Sequence, residues 1–528
     1  MAMRWLVAWL WLALALAAPA RALTPAEAGA LATGDIEARI VALGQVLAGQ
    51  PDARTVALIQ ALSEDAVKSD ASTVFILRDD KAFDAVTGAE VALPASAEDV
   101  INNNRMRGEL DAALALLRLS SADDTVRLEA ARTLAAEPDE ARLPLIEKAW
   151  AAERVPAIRE ALAQLRHALL LGSADRGKRL EAAQALGASG TPATKTLLLE
   201  RRKDETDAEV QAALDRALAR IESRLVWGER AGVVFTGLSL GSILLLVALG
   251  LAITYGLMGV INMAHGELMM IGAYATYVVQ NVFRHALPEA AFDAYILAAI
   301  PASFLAAALV GAVLERGVIR WLYGRPLETL LATWGISLIL QQAVRNLFGA
   351  QNVPVENPSW LSGGVEVMSN LTLPYNRLAI IAFAALVLAG VAALIGRTRL
   401  GLFVRGVTQN RPMAACMGVN TVRVDTYAFA LGAGIAGLAG CALSQVGNVG
   451  PDLGQGYIVD SFMVVVLGGV GQLAGTVYAA LGLGVLNKLL EGVAGAVLAK
   501  IMVLVLIVVF IQKRPQGIFA MKGRSAEA

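Results

Sequence analysis

The chain reads as an all-α protein, a polytopic membrane-embedded half preceded by a secreted helical-repeat domain that carries a short β insertion. Three observations lead there. Of 528 residues, 56% are hydrophobic and only 17% charged, where a soluble globular chain carries about 25% charged residues. The apolar residues gather after Trp227 in runs of near-spanning length. Before Trp227 the chain is rich in Ala, Leu, Glu and Arg at helical spacing and holds no such run beyond its first residues. The expected organisation is a signal peptide over 1–22, a periplasmic helical-repeat domain over 23–226 and a transmembrane domain over 227–520. A net charge of −1 gives no reason to expect a nucleic-acid partner. The two cysteines, Cys416 and Cys441, exclude a disulfide scaffold and a zinc ribbon.

The opening "MAMRWLVAWLWLALALAAPARA" has the parts of a secretory signal: Arg4, an apolar run from Trp5 to Ala17, then a small-residue cleavage pattern. That run is shorter than the ~20 residues a spanning helix needs, so cleavage is favoured over an uncleaved anchor. The chain from Leu23 onward is expected to start outside the cytoplasm.

The secreted half repeats. "RLEAARTL" from Arg127 returns as "RLEAAQAL" from Arg179, 52 residues on. The same offset carries Leu145-Ile146 onto Leu197-Leu198, and Ile158, Ala161 and Leu162 onto Val210, Ala213 and Leu214. Amphipathic helices recurring in register predict stacked pairs of the HEAT type, each burying its face on the next. An irregular helical bundle is the competing reading. Between Thr73 and Leu93, β-branched residues flank Asp79-Asp80 and Thr87-Gly88, which predicts a short strand-and-turn insertion. This half holds no nucleophile with a base and an orienting group, and His167, among Leu165, Leu169 and Leu170, reads as a helix-face residue.

After Trp227 come nine apolar runs: 232–253, 269–283, 295–314, 330–348, 378–395, 427–443, 457–470, 476–490 and 495–511. Basic residues cluster in alternate loops. Arg316, Arg320 and Arg325 share one, Arg397, Arg399, Arg405, Arg411 and Arg423 another, and Lys513, Arg514, Lys522 and Arg524 the tail. Placing these in the cytoplasm, with entry from outside, requires an odd number of crossings. Nine spans satisfy this if Gly468–Gly475 is a tight cytoplasmic turn.

"INMAHGELMMIG", Ile261 to Gly272, sets His265 and Glu267 inside this apolar half. A zinc site takes three or four protein ligands, and no other histidine stands in a neighbouring run. The His-x-Glu spacing of zinc deaminases comes with a Pro-Cys-x-x-Cys pair that this chain lacks. No metal, cofactor or catalytic role is therefore assigned.

Four stretches carry a resemblance. "GLSLGSILLLVALGLAITYGLMGVINMAHGELMMIGAY" (from Gly237) resembles the opening of permeases of the branched-chain amino-acid ABC importer family. "RTRLGLFVRGVTQNRPMAACMGVNTVRVDTYAFALGAGIAGLAG" (from Arg397), "MVVVLGGVGQLAGTVYAALGLG" (from Met463) and "KRPQGIF" (from Lys513) are similar to that family's cytoplasmic segment, glycine-rich turn and ending. The match covers about residues 230–520. "GAQNVPVENPSWLSGG" (from Gly349), "VTQNRPMAACMGVN" (from Val407) and "SQVGNVGPDLGQGYIVDSFMVVV" (from Ser444) resemble the urea-importing branch, as does the long secreted extension.

The resemblance implies a multi-pass inner-membrane permease, not an enzyme. Its implied partners are a second homologous permease subunit, cytoplasmic ATP-binding subunits, a periplasmic solute-binding protein and membrane lipid. Import of branched-chain amino acids or short amides is the alternative to urea. A secondary transporter is the alternative outside this class, and it would place carboxylates near the bilayer midplane. Here Glu315, Asp425, Asp452, Asp460 and Glu491 are all expected near span ends. A channel is a further alternative, and it would leave the basic 397–423 segment without a task. The chain lacks a GxxxxGK[ST] phosphate loop, so energy is expected from a partner.

In a permease, Asn262, His265 and Glu267 have two readings: they line the pathway or gate, or they hydrogen-bond at a helix break. Gly259 and Gly266 beside them favour the break. Asn346, Gln445, Asn448 and Ser461 are candidate pathway residues, being neutral hydrogen-bonding groups suited to urea. Asn410 to Gly418 is the expected ATPase-coupling segment. Asn410 would cap a helix, Pro412 would fit its first turn and Gly418 its end. Ala414 and Ala415 would present a small-side-chain surface between them. The family pattern often has glutamate where Met413 stands, which puts an ionic contact there, beside Arg411, in doubt.

Overall fold

A computed structural model describes residues 23–49, 52–70, 73–78, 81–136, 139, 142–259 and 261–519. The expected signal peptide, Asp79-Asp80, Lys522 and Arg524 lie outside the described residues. The chain divides into two compact units, Met1–Arg224 and Leu225–Ala528.

Three helices open the first unit: α1 (Pro25–Ala32), α2 (Ile36–Ala48) and α3 (Ala53–Ser63). Each begins on a side chain that takes up a free backbone N–H. Thr24 and Glu27 form a reciprocal capping box, Asp35 accepts from Ala38 and Asp52 from Thr55. The β insertion is larger than the spacing suggested. It is an antiparallel sheet in the order β4-β3-β2-β1-β5, from β1 (Val67–Ser69), β2 (Val74–Arg78), β3 (Lys81–Asp84), β4 (Glu90–Val91) and β5 (Glu98–Asp99). Val67 pairs with Ile76, and both join the core of Leu31, Leu58, Ile59 and Leu62. Strands of two or three residues are too short for alternation to register in sequence.

Helices α4 (Asn104–Arg118), α5 (Asp124–Ala136), α6 (Leu143–Ala152), α7 (Pro156–Leu170), α8 (Arg176–Ser189) and α9 (Pro192–Asp204) complete the unit with the start of α10 (Ala208–Met258). The repeat extends to individual bonds. Arg127 Nε donates to Glu153 at 2.8 Å and its Nη1 to the Ser121 carbonyl at 2.9 Å. Arg179 does the same to Glu205 at 2.9 Å and Ser173 at 2.9 Å, 52 residues on. Glu153 accepts from the backbone N–H groups of Arg154 and Val155, as Glu205 does from Thr206 and Asp207. Each clamp ties one helix start to the connection entering a later helix. Ala131, Leu134, Ile146, Ile158 and Leu162 are buried, and so are their counterparts Ala183, Leu186, Leu198, Val210 and Leu214. His167 is half-buried on α7, 3.9 Å from Glu181.

The second unit holds the rest of α10, then α11 (His265–Ala286), α12 (Tyr295–Gly317), α13 (Pro326–Phe348), α14 (Tyr375–Arg397), α15 (Arg399–Gln409), α16 (Arg411–Cys416), α17 (Thr421–Ser444), α18 (Leu453–Gly468), α19 (Leu473–Ala494) and α20 (Ala496–Lys513). All nine apolar runs fall on helices. Seven, among the described residues, are long and apolar enough to cross a membrane, against the nine spans expected. The other two are α11, whose apolar character is diluted by Glu267, Gln280, Asn281 and Arg284, and α18, which has 16 residues.

The unit is not purely helical. A hairpin, β6 (Gly364–Met368) and β7 (Leu371–Pro374), occupies the α13–α14 connection. α17 is the central helix, with 83% of its most apolar window buried. Backbone contact sets its position. A Cβ on Gly440 would lie 1.9 Å from the Met269 carbonyl oxygen, and one on Gly437 2.4 Å from that of Ser303. With no hydrophobic drive between helices in lipid, small residues that let backbones touch supply the packing.

Candidate functional site

Between α10 and α11 the helix is interrupted. Gly259 takes φ +67°, a left-handed turn that costs glycine little, and α11 begins only at His265. The backbone groups freed by the break find partners. Ala264 N–H donates to Asn262 Oδ1 at 3.0 Å, Met263 N–H to Thr333 Oγ1 at 3.1 Å and His265 N–H to the Asn262 carbonyl at 3.3 Å. His265, fully buried, has Nε2 3.2 Å from the Val247 carbonyl on α10. A carbonyl only accepts, so Nε2 carries a proton, and in the neutral ring Nδ1 is then the acceptor. Gly250 makes room: a Cβ there would meet His265 Nε2 at 3.0 Å and the Gly432 carbonyl oxygen at 2.3 Å.

Two residues along, Glu267 Oε1 accepts from Ser337 Oγ at 2.9 Å and from Gln341 Nε2 at 2.8 Å. These partners belong to a buried stripe on α13: Thr329, Thr333, Ser337 and Gln341, spaced by four. That spacing puts all four on one helix face. The four-residue spacing is present in the sequence, but the residues are scattered through a mostly apolar stretch and their common face shows only once the helix is formed.

The pathway candidates are not brought together. Gln445 is buried and bonded to Tyr295, while Asn346 is exposed and pairs with Gln342. Asn448 is exposed in the connection after α17, and Ser461 is buried with an unpartnered hydroxyl. Asp460 corrects an expectation. It lies midway along α18, not at a span end, in an ion pair with Lys500 at 3.5 Å.

The segment from Asn410 forms a single short helix, α16. Asn410 Oδ1 accepts from Met413 N–H at 2.9 Å, Pro412 sits in the first turn and Gly418 takes φ +84° just past the end. The expected paired-alanine surface is half wrong. Ala414 is buried in the core, leaving Met413, Ala415, Cys416 and Met417 exposed. Adjacent helical residues are about 100° apart, so two neighbouring alanines do not share a face. Arg411 is ion-paired to the buried Asp425 on α17 and lies 5.1 Å over the Tyr323 ring. Tyr323 OH and Thr426 Oγ1 donate to buried Glu315 at 3.3 and 2.7 Å, and Arg320 approaches Glu315 at 3.5 Å. This network joins α16 to the end of α12 and the start of α17. Asp425 and Glu315 were legible only as acids near span ends.

Membrane-length helices packed through close glycine contacts define a multi-pass membrane protein. The chain belongs to the family described as "Branched-chain amino acid transport system / permease component", matched over residues 233–511. It is similar to the high-affinity branched-chain amino acid transport system permease protein BraD of Pseudomonas aeruginosa, 30% identical over 53% of this chain and 93% of the relative. The corresponding protein LivH of Escherichia coli is 28% identical over 54% and 94%. A shorter likeness, 30% over 18% of this chain and 32% of the relative, is to the ribose import permease protein RbsC of Escherichia coli. No solved structure matches.

Proposed function

We propose that this chain is the membrane-spanning subunit of an ATP-driven importer of the inner membrane and that its solute is urea. The observation that carries the choice of solute is the polarity of the buried second unit. Among its described residues no lysine or arginine is buried, while Thr329, Thr333, Ser337 and Gln341 are, alongside the carboxylates of Glu267, Glu315 and Asp425. Urea is neutral and needs only donors and acceptors. An amino acid also brings a carboxylate, whose desolvation calls for a cationic partner. The stretches from Gly349, Val407 and Ser444 that resemble the urea-importing branch support the same reading. Import of branched-chain amino acids is the second reading, and the printed names of BraD and LivH favour it.

Energy enters through α16, whose exposed face docks on a cytoplasmic ATP-binding subunit and whose Arg411 pairs with Asp425. A second permease subunit and a periplasmic binding protein complete the assembly. The first unit, a HEAT-like stack in the periplasm, serves docking or assembly. Uptake of labelled urea and of labelled leucine by a deletion strain carrying this chain and its partners tests the solute. Urea import that depends on the chain is the expected result. Import of leucine alone would replace the urea reading with the second one.

A further inference from the structure

Buried polar atoms without partners are rare and call for an explanation. Among the described residues, four lie within thirteen positions of one another: Asn262 Nδ2, His265 Nδ1, Glu267 Oε2 and Tyr274 OH. None of these residues is more than slightly exposed. Local helix packing does not account for them, since the break at Gly259 has already used Asn262 Oδ1 and Thr333 to satisfy its backbone.

Two of the four are acceptors (His265 Nδ1 and Glu267 Oε2), one is a donor (Asn262 Nδ2), and the Tyr274 hydroxyl is both. Glu267 and Tyr274 are seven residues apart on α11, two turns, and so share a face. Glu267 is held by Ser337 and Gln341 on the α13 stripe, which runs through Thr333 to Thr329. From Thr329 to Gln341 that stripe rises about 18 Å, more than half of a ~30 Å hydrocarbon core.

We infer that the α11–α13 seam is the solute track, and that the open atoms of Glu267 and Tyr274 are completed by the passing solute. The solute class rests on the urea reading above. Urea's N–H groups would donate to Glu267 Oε2, and its carbonyl oxygen would accept from the Tyr274 hydroxyl. No covalent step is involved.

The test uses the assembled importer. Tyr274→Phe removes a hydroxyl that bonds to nothing in the protein, so a purely structural role predicts no change in uptake. The track predicts a KM for urea raised roughly three- to tenfold, the loss of about one hydrogen bond, at unchanged protein level and thermal stability. In parallel, Ser337→Cys placed on a Cys416→Ser background should react with a small hydrophilic methanethiosulfonate reagent faster than that background does, and excess urea should slow that reaction. An unreactive Ser337→Cys, or an unaltered urea KM in Tyr274→Phe, overturns the track. If leucine but not urea is imported and slows the reaction, the track stands and the urea reading fails.

Discussion

Asp425, buried at the start of α17, is held by Arg411 from the short helix α16. The pair fixes the angle at which α16 presents Met413, Ala415 and Met417. Its removal has an uneven cost. Losing one member strands the other, and a stranded buried charge costs more than the pair contributes. The guanidinium is about a third exposed, which reduces the effect. Arg411→Met should destabilise the detergent-solubilised protein by on the order of 2 kcal/mol. Arg411→Met with Asp425→Leu should recover part of that. Thermal unfolding of the two single variants and the double variant checks this, and additivity of the singles would deny the coupling.

The Arg127–Glu153 clamp carries a pH signature. The Arg127 guanidinium bonded to Glu153, outweighing burial and helped by the N–H groups of Val155 and Arg154, lowers its carboxyl from 4.5 to about 2. A carboxyl depressed in the folded state stabilises fully above its unfolded value and loses that contribution as pH falls toward the folded value. Wild type should therefore melt higher than Glu153→Gln at pH 6, with the difference shrinking between about pH 4.5 and 2. A constant difference across that window would contradict the clamp.

His265 donates one hydrogen bond to a carbonyl already engaged in its own helix. Interhelical hydrogen bonds in lipid contribute about 0.6 kcal/mol on average. His265→Gln, which can still donate, should keep thermal stability within about 0.5 kcal/mol of wild type, and His265→Leu should fall further. Equal melting temperatures for the two variants would remove the bond from the account.

Gly250 and Gly432 approach each other through their backbones, and the nearest atom an added methyl on Gly250 would meet, the Gly432 carbonyl oxygen at 2.3 Å, cannot swing aside. Overpacking of this kind costs about 1–3 kcal/mol. Gly250→Ala should lower the melting temperature, while Gly390→Ala on α14, with open space around its Cα, should not. Matching melting temperatures would refute the close packing.

Much of this architecture was legible in the sequence. Apolar run length located nine of the eleven membrane-half helices because burial in lipid demands continuous apolar sequence. The cap at Asn410 and the break around Gly259 and Asn262 were legible because backbone hydrogen bonding there depends on residues two or three positions away. Features that depend on distant partners were not. Nothing close to Glu153 or Glu205 in the chain points to the arginines that hold them, which lie 26 residues upstream. The burial of Ala414, the pairing of Asp460 with Lys500 and the grip of Ser337 and Gln341 on Glu267 are tertiary in the same sense. The β6–β7 hairpin had a local signal, Val365 and Val367 before Ser369-Asn370, but only a few residues of it.

Drive from the cytoplasm through α16 is the centre of the account, and Ala415→Trp tests it most directly. Ala415 is exposed, its methyl side chain takes no part in the Arg411–Asp425 ion pair, and the substitution leaves every orienting arginine in place. Uptake and solute-stimulated ATP hydrolysis, measured together on correctly inserted importer, should fall in parallel by on the order of tenfold, as for the loss of a coupling free energy of about 1–3 kcal/mol. Undiminished uptake by a correctly inserted Ala415→Trp protein would contradict the account.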